Sequence, residues 1–79
     1  MEQIEQRRII RDEILGMKKR FSRQDLFLII RDKHGIKDRR LILSLLDQLC
    51  DTGAVTFSLA ANSVWMFTPR PVEFIIRQS

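Results

Sequence analysis

One cysteine, one histidine and no tyrosine among 79 residues leave little catalytic chemistry to work with. Cys50 has no second thiol to join, so the fold needs no internal disulfide and no oxidising compartment. On the apolar side of a helix it reads as an inert buried thiol. His34, at a helix C-terminus, reads as a cap that complements the helix dipole. The two sit on different helices with no third group to complete a nucleophilic constellation. One His and one Cys are also too few ligands for a transition metal. Three glycines and two prolines form neither a phosphate-cradling loop nor a flexible linker. No segment repeats. The longest uninterrupted apolar run, Leu26 to Ile30, is five residues, far below the ~20 that cross a bilayer. Met1-Glu2-Gln3-Ile4-Glu5 is acidic and polar where a secretion signal is basic and then apolar. An enzyme, a membrane-spanning or secreted protein and a two-domain protein are all disfavoured. The expectation is one intracellular domain over 1–79, cytoplasmic or at the nucleoid or nucleus. No cofactor, metal or small-molecule ligand is evident, and no membrane partner.

What the chain does hold is balanced for a soluble globular fold, with 44% hydrophobic and 30% charged residues. At this length folding buries only about 60–65% of the unfolded surface, so a monomer needs dense packing or a partner. Fourteen Lys and Arg against ten Asp and Glu give a net charge of +4 and a pI near 10.0. Such a balance favours polyanionic partners.

Periodicity divides the chain into three helices and a hairpin. Over 1–19, Ile4, Ile10, Ile14 and Met17 recur at helical spacing, with Ile9 and Leu15 widening the stripe. A left-handed stop is expected near Gly16, and Met17-Lys18-Lys19-Arg20 forms a basic connection. The second helix, 22–34, is capped by Ser22 with Asp25 three residues on, and Phe21 and Leu26 make a hydrophobic staple. Gly35 ends it in the left-handed conformation and Ile36 folds back on Ile30. The third helix, 38–52, has Asp38 as N-cap and a core face of Leu41, Ile42, Leu45, Leu46, Leu49 and Cys50. After Gly53 the period falls to two: Val55, Phe57 and Leu59 alternate with polar residues, and Val64 to Phe67 follow a turn at Ala61-Asn62-Ser63. A hairpin over 54–68 follows, with Trp65 and Phe67 turned towards the helices. Over 69–79 the spacing of Val72, Ile75 and Ile76 suits a short helix with Thr68 as cap and Pro69 first. An extended tail competes with it.

The motifs Phe21-Ser22-x-x-Asp25-Leu26, Ile36 and Leu41-x(3)-Leu45-Leu46-x-x-Leu49-x(3)-Gly53-x-Val55 lie within positions 21 to 68. In their order and spacing this segment resembles the winged helix-turn-helix superfamily of small DNA-binding transcriptional regulators. The resemblance implies an α+β fold in which the third helix, Arg39 to Asp51, enters the major groove and the hairpin, Thr56 to Phe67, is the wing.

Two basic groups carry the functional expectation. Arg31, Lys33, Lys37, Arg39 and Arg40 surround the turn between the second and third helices, and Lys18, Lys19, Arg20 and Arg23 precede the second. Both are expected to flank the N-terminus of the third helix, where amides and Arg side chains grip phosphates. On that basis Arg20, Arg23, Lys37 and Arg40 contact phosphates of double-stranded DNA, Arg39, Ser44 and Gln48 read bases, and Asn62 reaches a phosphate from the wing. Two features oppose this. Asp47 and Asp51 share the solvent face of the third helix, and no Lys or Arg occurs from Ala54 to Thr68. The alternative is a winged-helix module that binds protein through its apolar wing and third helix. Finally, Val72, Phe74, Ile75 and Ile76 are expected to form a homodimer interface, helped by Ile4 or Ile9. A tail folded back on its own first helix or hairpin is the competing arrangement.

Overall fold

A computed structural model describes residues 3–70. Its elements are α1 (Gln3–Leu15), α2 (Arg23–His34), α3 (Arg39–Asp51), β1 (Val55–Leu59) and β2 (Trp65–Pro69). Three helices followed by an antiparallel hairpin make an α+β fold, consistent with the layout of a winged helix.

Local signals set α2 and α3. The Ser22 hydroxyl accepts from the Asp25 amide at 3.1 Å and the Asp25 carboxylate accepts from the Ser22 amide at 3.2 Å, a complete capping box. At the other end Gly35 adopts φ 70°, where only glycine avoids a Cβ penalty, and its amide donates to the Arg31 carbonyl. Asp38 caps α3 by accepting from the Leu41 amide at 3.2 Å, and Gly53 leaves it at φ 83°. Ile10 and Ile14 of α1, Leu26 and Ile30 of α2, and Leu41, Ile42, Leu45 and Leu46 of α3 then close one core. Phe21, Ile36, Val55 and Phe67 complete it. Phe21 is also a one-residue strand: it exchanges backbone hydrogen bonds of 2.9 and 2.7 Å with Phe67. That bridge pins the hairpin base to the start of α2.

The hairpin pairs Phe57 with Phe67 and Leu59 with Trp65. Directly opposed residues share a face, so Val55, Phe57, Leu59, Trp65 and Phe67 all lie on one side. Only the base of that face is covered. Phe67 and Val55 are buried, whereas Trp65 is 41% exposed, Phe57 55% and Leu59 56%. Trp65 faces the same side as Phe67, towards the helices as expected, but near the hairpin tip it is only partly covered.

Two further expectations change. Helix α1 ends at Leu15, beside the stop expected near Gly16. Gly16 is not left-handed, because its amide continues the helical ladder to the Asp12 carbonyl at 2.9 Å. Thr68 and Pro69 do not start a helix; both belong to β2, opposite Thr56 and Val55. A proline is tolerated there because it ends the strand, and pairing resumes with the Arg70 amide on the Ala54 carbonyl. Residues 71–79, which include Val72, Phe74, Ile75 and Ile76, lie outside the described residues.

Candidate functional site

The charged groups of the α2–α3 turn fall into two classes. Arg31 pairs with Asp32 at 3.4 Å. Glu13 of α1 forms an ion pair with Lys33 at 3.6 Å and a hydrogen bond with His34 at 3.0 Å. Thus His34 is tied to α1 across 21 positions as well as ending α2. Lys37, Arg39 and Arg40 are exposed and have no carboxylate within ion-pair distance among the described residues. They surround the first turn of α3, where helix amides still lack intrahelical acceptors. Asp38 satisfies one of these, that of Leu41. The Arg39 guanidinium lies 5.2 Å from the centre of the Phe27 ring. It therefore stands at the α2 side of α3, beside a cleft of about 200 Å³ that Arg31 and Lys37 also line.

The second basic group divides. Lys18, Lys19 and Arg20 line a different cleft with Phe21 and Leu28, and Leu28 also lines the first, so the two clefts adjoin across α2. Arg23 is elsewhere. Its guanidinium lies 5.1 Å from the Phe67 ring, in a third cleft with Asp47, Cys50, Asp51, Phe57 and Trp65. The expectation that it flanks the N-terminus of α3 is corrected: an aromatic face of the wing draws the cation towards the C-terminal half of that helix.

A rotation of about 100° per residue puts Arg40, Ser44, Asp47 and Asp51 on one stripe of α3, with Gln48 at its flank. All five are exposed. The stripe is cationic at its first turn and anionic over its last two. Asn62 has a role in the wing turn, where its Oδ1 accepts from the Val64 amide at 3.3 Å and Ser63 takes φ 63°. Burial pushes the Cys50 thiol above its usual pKa; Asp47 and Asp51 push it further and Arg23 opposes them.

The third cleft is what sequence reasoning missed. Its volume is about 400 Å³. The alternation of Phe57 with Trp65 and Phe67 signalled a shared face, but nothing local brings Asp47 and Asp51 opposite it. Among the described residues no group of three or more His, Cys, Asp or Glu is placed to hold a metal, and no helix is long and apolar enough to cross a membrane. Comparisons with protein-family models, curated proteins and solved structures found no match.

Proposed function

We propose that the chain is a winged-helix DNA-binding protein that grips duplex DNA with the α2–α3 turn and the first turn of α3, acting as a homodimeric transcriptional regulator. One observation carries this reading: Lys37, Arg39 and Arg40 are exposed, lack carboxylate partners among the described residues, and cluster where helix amides favour anions. Lys37 and Arg39 hold phosphates, so Arg39 and Arg40 exchange the base and phosphate roles expected from the sequence. Arg39, stacked on Phe27, is pre-oriented for that task from the helix flank. Arg40 and Ser44, on the outward stripe, face base edges, as N-terminal residues of a recognition helix do. Arg20 adds a phosphate contact from the neighbouring cleft, and Gln48 lies one turn beyond Ser44. Dimerisation through Val72, Phe74, Ile75 and Ile76 belongs to the same proposal, since two recognition helices read a palindrome better than one.

The test is fluorescence anisotropy of a short random duplex between about 50 and 200 mM salt. Three phosphate contacts give a slope of log affinity on log salt of about −2.7, and Lys37→Ala makes it shallower by about one. No binding at the lower salt, with protein at tens of micromolar, overturns the reading. The apolar, uncharged wing favours a second role in protein binding.

A further inference from the structure

We infer that the cleft between the wing and the C-terminal half of α3 is a second binding site, whose occupant is a segment of another protein that presents a Lys or Arg side chain flanked by apolar residues. The inference uses none of Lys37, Arg39 and Arg40, so it stands or falls apart from the DNA reading. Three features define the occupant. Phe57, Leu59 and Trp65 share one face of the hairpin and leave much of their surface exposed, which calls for an apolar cover. Phe57 and Trp65 pack edge to face with centroids 5.6 Å apart, so they present rigid aromatic walls, and Trp65 lines the cleft with Phe57 and Phe67. Asp47 and Asp51 border the same cleft, and neither has an ion pair among the described residues. The one cation there, Arg23, lies over the Phe67 ring, and two carboxylates outnumber it.

Carboxylates beside aromatic faces complement a cation, which gains from both. A duplex is a poor occupant, because its phosphates meet Asp47 and Asp51 and no Lys or Arg between Ala54 and Thr68. A second copy placed symmetrically on this face brings two pairs of carboxylates together, and like charges across an interface oppose association. A free inorganic or amine cation leaves Phe57 and Leu59 uncovered. A basic and apolar peptide segment answers every feature.

Trp65 is the only tryptophan in the chain, so its emission reports this cleft directly. The full chain is titrated with the blocked peptide acetyl-Leu-Arg-Leu-Arg-Leu-amide and with its glutamate counterpart, acetyl-Leu-Glu-Leu-Glu-Leu-amide. A saturable emission change is expected with the first and none with the second. Asp47→Asn/Asp51→Asn, which keeps the side-chain volumes, is expected to weaken the response about tenfold while leaving far-ultraviolet circular dichroism unchanged. Spermine alone is expected to bind more weakly than the arginine peptide. Equal responses to the two peptides, or no response to either, overturn the proposal. It is overturned in favour of a second copy if emission shifts with protein concentration alone. It is overturned in favour of residues 71–79 if emission is blue-shifted in the free chain and no peptide alters it.

Discussion

Replacing both Asp47 and Asp51 by asparagine moves the two proposed partners in opposite directions. The carboxylates are seven and eleven residues beyond Arg40 on the same exposed stripe of α3. At about 1.5 Å rise per residue they stand about 10 and 16 Å along the helix from a phosphate at the first turn of α3, level with Arg40. In water, unit charges at those separations repel by about 0.4 and 0.25 kcal/mol. A screening length of about 30 Å at 10 mM salt leaves about 0.5 kcal/mol of the total, a little over twofold in affinity. At 0.1 M salt the screening length is about 10 Å and the effect falls below about 1.5-fold. Anisotropy with one duplex at both salt concentrations is therefore expected to show tighter binding by the variant at low salt and almost no change at high salt. Binding of the arginine peptide, read from Trp65, falls in the same variant. Weaker duplex binding would refute the reasoning, because the carboxylates would then be making favourable contacts of their own, such as to cytosine amino groups. Tightening by tenfold or more would refute it too, since phosphates would have to lie directly against Asp47.

Two further predictions concern charge around α3. The Cys50 thiol, raised above its usual pKa by burial and then by Asp47 and Asp51, carries less thiolate than free cysteine at about pH 8. Iodoacetamide is therefore expected to alkylate it more slowly than free cysteine, with the rate still rising above about pH 9 and faster in Asp47→Asn/Asp51→Asn; a rate equal to that of free cysteine contradicts this. The double reversal Arg40→Glu/Asp51→Lys sets α3 with its dipole and is expected to raise the melting temperature by a few degrees, roughly 0.5–1 kcal/mol, while weakening both duplex and arginine peptide. A lower melting temperature for the reversed helix refutes the dipole argument.

Those parts of the fold whose causes lie within one turn of the chain were legible in the sequence. The Ser22–Asp25 box and the stop at Gly35 each rest on atoms a few residues apart, and α2 spans Arg23–His34 as its spacing predicts. The core face of α3 is likewise carried by its own periodicity. Gly16 misled because a glycine permits a left-handed stop without requiring one, and its amide had a helical acceptor in Asp12. Pro69 misled because proline at a helix start and proline at a strand end look alike until the partner strand is known. The site was less legible than the fold. Glu13 lies 21 positions from His34, and Arg23 lies 44 from Phe67. Such pairs exist only after packing, so the neutralised half of the basic turn and the diversion of Arg23 had no sequence signal.

Helix α3 runs against its own dipole. Its first turn holds Arg39 and Arg40 and no acid, and its last turn holds Asp51 and no base. Helices gain from the reverse arrangement, by roughly 0.3–1 kcal/mol for each charge near an end. Only Asp38, as N-cap, sits at the end the dipole favours. Nothing in the packing requires this, because Arg40, Asp47 and Asp51 are all exposed, while the core face is carried by Leu41, Ile42, Leu45 and Leu46. A pattern that costs stability and serves no packing need is accounted for when ligands supply the missing charge. On the two proposals, phosphates at the first turn meet free amides and guanidinium groups together, and a cation at the last turn meets carboxylates and aromatic faces together. Each ligand thus gains from the dipole and from the side chains that oppose it. Because the ends are more than a screening length apart at 0.15 M salt, where that length is about 8 Å, the two sites fill almost independently. On the two proposals together, one short helix would hold a nucleic acid and a basic protein segment at once.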